Sequence, residues 1–360
     1  MRKNRNVLIA MILVLAIMVS VGLTACGDNS ADNTGGVNTE APDTTPSEEL
    51  TPTPTAPPAE PTEDKNASPF KIFQYELPSG YKKANELAGT VTEETYTTYL
   101  YDNDGVAGEE IESSLYIYLP YGYDESKEYN VLYLMHGGGE EVGYWFGMAE
   151  YAEGGERYNR VTASFTTNVI DNMIANGDCD DVIVVTPTWN NNGTTNFKYE
   201  LRNDVIPFVE GKYASYAGGD VTPDNLIATR DHRAFGGFSA GSMTAFSVWN
   251  GCFDYIAYIG TLSAWDDSGE AVIKEMLDGI YADYEMKYWY NGQGTLDFTV
   301  DAHVENYARM LEEYGDLWQE GEDFANGDNC IMVNKPGKGH AYNNWIVDLY
   351  NMLEVFFKMS

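Results

Sequence analysis

The sequence predicts an α/β fold: a mostly parallel central sheet, antiparallel strands on its N-terminal side, and helices on both faces. Three observations lead there. Strand-type segments cluster between Phe70 and Pro120 without an intervening helical pattern. From Asn130 onward, short apolar runs alternate with segments of helical spacing, the order that builds parallel sheets. Several of those runs end in Gly-rich turns bearing serine, histidine or aspartate. In an open parallel sheet, active groups gather where strands end and helices begin.

The early strands are expected at Lys71–Tyr75, Thr95–Tyr101 and Ser114–Leu119, where residues alternate or are β-branched and aromatic. Asn130–Met135 is a short apolar run ending at His136-Gly137-Gly138-Gly139. Val161 to Ala175 has helical spacing through Val161, Phe165, Val169 and Met173. Asp181–Val185 reads as a buried strand and Phe197–Tyr213 as a helix. Strand–helix pairs then follow at Arg233–Phe238 with Ala240–Trp249, and at Tyr255–Leu262 with Ala271–Tyr281. Two more follow at Met286–Tyr290 with His303–Tyr314, and at Cys330–Asn334 with Asn344–Phe357. No internal repeat or second linker is evident, so residues 69–360 form one domain, and 43% hydrophobic content suffices for its core.

The preceding residues read differently. Arg2, Lys3 and Arg5 are followed by a nearly unbroken apolar run from Val7 to Val21 and then by Leu23-Thr24-Ala25-Cys26. That order is the form of a secretory signal, and the run is short for a bilayer span. It resembles a bacterial lipoprotein signal over residues 1–25; the resemblance implies lipidation of Cys26 and an exported, lipid-anchored protein. Residues 26–68 are rich in Thr, Pro, Ala, Asn and Glu and include Thr51-Pro52-Thr53-Pro54-Thr55. Such a stretch has too little apolar surface to offset its ordering entropy and is expected to be a disordered tether.

With 21 basic and 56 acidic residues the formal charge is −35, which repels nucleic acid and anionic headgroups. Cys179, Cys252 and Cys330 allow at most one disulfide. No C-x-x-C pair occurs and the four histidines are scattered, so a zinc site has little support.

Gly237-Phe238-Ser239-Ala240-Gly241 fits G-x-S-x-G between a strand and a helix. The spacing suits a serine raised on a tight turn, with glycines letting neighbouring backbone pack close. Serine needs a base to take its proton. Of the four histidines, His136 lies in the Gly-rich turn and His232 precedes the strand leading to Ser239, at the opposite edge of the sheet. His303 reads as a solvated helical residue. His340, in Gly337-Lys338-Gly339-His340 after the last strand, is the expected base. The carboxylate that orients it comes from Asp297 or Asp301, after the penultimate strand, or from Asp266 or Asp267, after the strand before; Asp297 is favoured. Backbone N–H groups of Ala240 and of the glycine turn, with Gly138 preferred, would face a developing oxyanion, each contributing about 3 kcal/mol in the transition state. No Lys-Ser/Thr follows that turn, which argues against a nucleotide loop. Trp145, Trp189 and Trp265 fall in expected loops near the strand ends, as candidate stacking surfaces for a sugar or phenolic acid.

Together these segments carry a resemblance. It rests on Tyr133–Glu140, Trp145, Pro187-Thr188, Arg230–Ala234, Gly236–Gly241, Tyr258-Ile259-Gly260, Gly294–Asp297, Gly339-His340 and Trp345. They look like the feruloyl esterases of the first carbohydrate esterase family, which share the esterase D-like α/β-hydrolase fold, and the likeness spans residues 110 to 360. It implies a triad of Ser239, Asp297 and His340, oxyanion donors at Gly138 and Ala240, and a serine esterase without metal or organic cofactor. Its expected partners are feruloylated or acetylated xylan fragments, met by a monomer. Acetyl xylan esterases and enterochelin esterases share the scaffold. The family more often has Met where Ala240 stands and a bulkier residue at Gly138, differences that alter pocket shape. A non-catalytic, glycan-binding lipoprotein is the reading from a different class, and it has no need of the acyl-transfer set.

Overall fold

A computed structural model describes residues 68–150 and 164–358. The signal expected over residues 1–25, Cys26 and all of the expected tether except Ser68 lie outside the described residues.

Among the described residues one eight-stranded sheet organises the domain. Its strands are β1 (Thr90–Tyr101), β2 (Ala107–Leu119), β3 (Asn130–Met135), β4 (Val182–Thr186), β5 (Arg233–Phe238), β6 (Tyr258–Leu262), β7 (Tyr288–Gly294) and β8 (Cys330–Lys335). They lie in the order β1-β2-β4-β3-β5-β6-β7-β8. β1 and β2 form an antiparallel hairpin and β2 meets β4 antiparallel; every later pairing is parallel. This is the mixed sheet the sequence predicts. Parallel strands need crossovers, and helices supply them. The helices are α1 (Thr166–Asn176), α2 (Gly193–Glu200), α3 (Ile206–Lys212), α4 (Pro223–Ala228), α5 (Ala240–Cys252), α6 (Ser268–Asp278), α7 (Val300–Glu313) and α8 (Tyr342–Val355).

Alternation along the strands divides the core in two. Val131, Tyr133 and Met135 of β3 face one layer, with side chains from α2, α3, α5, α6 and α7. Leu132 and Leu134 face the other, with α1 and α8. All six residues of β3 are buried, as expected for a strand covered on both faces.

Three expectations are corrected. Lys71–Tyr75 is not a strand: the amides of Lys71, Ile72 and Phe73 donate to the Glu322 carboxylate, and that of Gln74 to Asn351 Oδ1. Side chains from distant segments thus satisfy the backbone in place of a ladder. The helix expected over Phe197–Tyr213 is α2, a π-helical turn at Leu201–Val205, and α3. Pro207 has no N–H to give and its ring crowds the carbonyl four residues back, which the wider turn accommodates. The strand expected at Met286–Tyr290 lies further on and runs through Gly292-Gln293-Gly294. Gly292 serves close packing there, because a Cβ would strike the Asp348 carboxylate.

A buried ion pair ties the sheet to α3. Arg233, at the start of β5, donates from Nε to Glu210 Oε1 at 2.6 Å and from Nη2 to Oε2 at 2.9 Å. Both side chains are 1% exposed. Tyr133 and Ser215 hydroxyls also donate to Glu210, and Arg233 reaches the Leu226 carbonyl and the Thr229 hydroxyl. Removing one partner leaves a buried charge uncompensated. Glu210→Gln should therefore destabilise the fold by about 3 kcal/mol or more in urea unfolding, with Glu210→Leu/Arg233→Met together costing less than the single change. A single-variant loss below about 1 kcal/mol would show that this pair does not stabilise the fold.

Candidate active site

β5 ends at Phe238, and the chain turns through Ser239 at φ 54° and ψ −120° into α5. A non-glycine residue at positive φ is uncommon, and its neighbours must impose it. Here they do. The Ser239 amide donates to the Leu262 carbonyl of β6 at 2.8 Å. A Cβ on Gly237 would lie 2.5 Å from the Gly241 carbonyl oxygen, and one on Gly241 2.5 Å from that of His136. The motif's two glycines are thus the positions where backbone meets backbone. Ser239 itself is half-buried.

The turn after β3 abuts this elbow. A Cβ on Gly138 would stand 3.5 Å from that of Ala240. Ala240 opens α5, so its N–H belongs to a first turn that lacks intrahelical acceptors. His136 fixes the glycine turn: Nδ1 meets the Gly137 carbonyl at 2.9 Å, and Nε2 meets Thr188 Oγ1 at 2.8 Å. The carbonyl only accepts, so Nδ1 carries the proton and the Thr188 hydroxyl donates to Nε2. Burial pushes the His136 imidazole down to about 4, which keeps it neutral. Trp189 Nε1 donates to the His136 carbonyl at 3.3 Å.

Asp297 and His340 come from the turns after β7 and β8. Those turns are joined through backbone: Thr295 N to Lys335 O at 3.0 Å, Leu296 N to Lys338 O at 2.8 Å. Gly337 N adds a bond to Thr295 Oγ1 at 2.9 Å. His340 Nδ1 lies 2.9 Å from Asp297 Oδ1 and 3.0 Å from Oδ2. The Thr299 amide also donates to Oδ1 at 3.0 Å, and the single proton of its hydroxyl is shared between Oδ1 at 2.8 Å and the Ser263 carbonyl at 2.9 Å. Burial alone would raise the Asp297 carboxyl, but the His340 and Thr299 interactions outweigh it and hold the group below its usual range. An ionised Asp297 fixes the proton of His340 on Nδ1 and leaves Nε2 free to accept. The other candidate carboxylates stand elsewhere: Asp301 and Asp267 are exposed, and Asp266 caps the Ser268 amide.

Rings bridge the base to the elbow. Trp345 stacks on Phe238 at 3.8 Å between centroids and meets His340 edge-on at 5.1 Å. Phe238 immediately precedes Ser239, so the imidazole and the serine share one aromatic support. Among the described residues no hydrogen bond joins Ser239 Oγ to His340; catalytic hydrogen bonds often tighten only as the substrate complex forms.

The family described as "Putative esterase" matches residues 109–353, most of the folded part. The chain belongs to this esterase family. It is a carboxylic ester hydrolase. The esterase is 42% identical over 205 residues to endo-1,4-beta-xylanase Y of Acetivibrio thermocellus; that stretch is 54% of this chain but only 17% of the relative's length. A solved structure described as FAE is 31% identical with a TM-score of 0.65. The feruloyl esterase module from Clostridium thermocellum, a serine-to-alanine variant with sinapinate, is 30% identical with a TM-score of 0.63. Each covers 82% of this chain and 95% of its own.

Of the three tryptophans expected near the substrate, Trp145 is corrected. It is fully buried, donates Nε1 to the Met135 carbonyl at 3.1 Å and packs 5.3 Å from Phe238, so it has no face for a ligand. Trp189 and Trp265 are half-buried. Trp265 packs on Phe246 at 4.7 Å. His303 is corrected as well. It is fully buried under the acid turn, with Nε2 3.2 Å from Asn291 Oδ1, and burial lowers its pKa to about 3. His232 lies just before β5, stacked on Tyr216 at 3.5 Å, far along the strand from Ser239. Cys179, Cys252 and Cys330 are all free thiols.

Ser263 has no counterpart among the residues the sequence singles out. It ends β6 as Ser239 ends β5, also at positive φ, 55°. Its Oγ accepts from Trp345 Nε1 at 2.9 Å, its carbonyl lies 2.9 Å from Thr299 Oγ1 and shares that hydroxyl's proton with Asp297, and its amide donates to the Gly292 carbonyl at 2.9 Å. One buried residue therefore holds both the ring behind His340 and the threonine beside Asp297. Ser263→Ala strands the indole N–H and should cost about 1–3 kcal/mol of stability. It should also lower kcat for ester hydrolysis with KM little changed; full kcat at lowered stability would make Ser263 structural only.

Proposed function

We propose that the esterase hydrolyses feruloyl and related hydroxycinnamoyl esters carried by xylan-type polysaccharide or its fragments. The observation that carries this reading is the Asp297–His340 pair beside the strained Ser239 elbow, on a chain similar to feruloyl esterases. The xylanase relative and the sinapinate-bound module support the substrate class.

In this mechanism Ser239 Oγ attacks the ester carbonyl while His340 Nε2 takes its proton. The carbonyl oxygen becomes an anion facing the amides of Gly138 and Ala240. His340 then gives the proton to the leaving alcohol oxygen as the carbon–oxygen bond breaks, which leaves a feruloyl-Ser239 ester. Water gives a proton to His340 as its oxygen attacks that ester; ferulic acid departs, and Ser239 Oγ takes the proton back from His340. Asp297 stays ionised throughout and stabilises the imidazolium.

Ser239→Ala should lower kcat on methyl ferulate by roughly 10⁴-fold or more and abolish labelling by a fluorophosphonate. Turnover that survives the change would remove Ser239 as the nucleophile. Absence of labelling in the unaltered protein would favour a non-catalytic glycan binder. A rate panel of feruloyl, acetyl and catecholate esters tests the acyl group, and a higher kcat/KM on acetyl esters would overturn the feruloyl assignment.

We also propose that residues 1–25 are an export signal, that Cys26 is lipidated, and that residues 26–68 tether the esterase outside the cytoplasm. The basic start, apolar run and Leu-Thr-Ala-Cys sequence support this. Cells expressing the full chain should incorporate labelled palmitate into it, and Cys26→Ser should abolish the label. Equal labelling of both forms would sink the anchor.

A further inference from the structure

We propose that Phe298 is the platform on which the sugar of the leaving alcohol rests during ester cleavage. The inference rests on the serine-esterase reading and goes further, to the side of the substrate that reading leaves undescribed.

Phe298 and Leu296 flank Asp297 on the turn after β7, and each is 73% exposed. With Ile280, they are the most exposed large apolar side chains among the described residues. Exposed apolar groups at a site rim point to a contact, because water solvates them poorly. Neither residue sits on a loose loop. Leu296 is bonded through its amide to Lys338, and the Asp297 amide donates to the Gly294 carbonyl at 3.0 Å. The Thr299 amide closes the turn on Asp297 Oδ1. The structure therefore presents two apolar side chains to solvent from a braced turn, so little ordering entropy remains to be lost on contact.

The position of Phe298 selects its occupant. Its ring centroid is 4.4 Å from that of His340. The other ring against His340 is Trp345, which is buried. One neighbour of the imidazole thus faces the core, and the other faces solvent. Nδ1 is committed to Asp297, so Nε2 must serve both Ser239 Oγ and the leaving oxygen. The group bonded to that oxygen is the one brought beside His340 on its solvent side, where Phe298 stands. The acyl group lies across the carbonyl carbon, away from that oxygen. For a feruloyl sugar ester, the occupant is then the sugar ring, whose C–H face packs on an aromatic ring.

Two substrates that share the acyl group and differ in the alcohol separate the possibilities: methyl ferulate and feruloyl-arabinose. Phe298→Ala should lower kcat/KM for feruloyl-arabinose by about 3- to 10-fold, mainly through KM, while methyl ferulate changes less than about 2-fold. Phe298→Trp should restore the sugar ester. A matching loss on both substrates would mean that Phe298 supports His340 or the acyl group, and no loss on either would mean that it contacts nothing; both overturn the platform. Should the unaltered protein turn over acetyl but not feruloyl esters, the feruloyl reading falls. Ethyl acetate and acetylated xylose then replace the two ferulate esters. A loss confined to the acetylated sugar would still support Phe298 as the platform, and an equal loss or no loss would still overturn it.

Discussion

A serine backbone held at φ 54° is the constraint around which this rim is arranged. Such a conformation costs on the order of 1–3 kcal/mol and persists only where its surroundings leave no alternative. The surroundings here are backbone. The Leu262 carbonyl draws the Ser239 amide toward β6, and Gly237 packs on Gly241, which packs on the end of β3. Any side chain at these two glycines would push the strand end away from the helix start. The elbow therefore depends on β3, β5 and β6 lying side by side in parallel register, which the sheet order provides.

The same logic recurs one strand over. Ser263 repeats the positive-φ turn at the end of β6, buried and without a reactive outlook. Its three bonds reach Trp345, Thr299 and Gly292, so it gathers the acid turn and the ring behind the base into one unit. The turns of Asp297 and His340 are further joined to each other through Thr295 and Leu296. Ser239, Asp297 and His340 are distant in sequence, yet Ser239 is bonded through its amide to β6, and the turns that carry Asp297 and His340 are bonded to each other. Preorganisation of this kind is what lets a hydroxyl, an imidazole and a carboxylate act together without loss of orientation.

How much of this is legible in the residues differs by feature. Strands buried on both faces are plain, because β3, β4 and β5 are short apolar or glycine-containing runs bounded by turns. Ser239 is legible because its G-x-S-x-G lies between a strand-type run and a helix-forming run; the motif without that context is weak. Lys71–Tyr75 misleads because its β-type residues are held by carboxylate and amide side chains far away in sequence. Gly292 misleads because glycine marks a turn and a close approach alike, and only the Asp348 side chain distinguishes the two. Trp145 misleads because its loop folds inward, which no local pattern records. Ser263 leaves no signal: a serine after an apolar run carries nothing to indicate its φ.

Environment, rather than residue type, sets the candidate base His340 apart from the other three histidines. His136 and His303 are buried without a partnering carboxylate hydrogen bond, and desolvation lowers them to about 4 and about 3. A base of that kind is too weak to hold a serine proton near neutral pH. His232 is also lowered by burial, and its Nδ1 is taken by Asn130 of β3, beside the end of β5 away from Ser239. His340 alone combines a bonded, ionised carboxylate on Nδ1 with a ring that reaches solvent, its side chain being 19% exposed. That combination permits the imidazole to gain a charge in the transition state and lose it again, because Asp297 stabilises the cation while the open side admits substrate. The two buried histidines serve this arrangement from below: His136 fixes the turn bearing Gly138, and His303 packs beneath the acid turn, each without adding a charge that would compete with the one that forms.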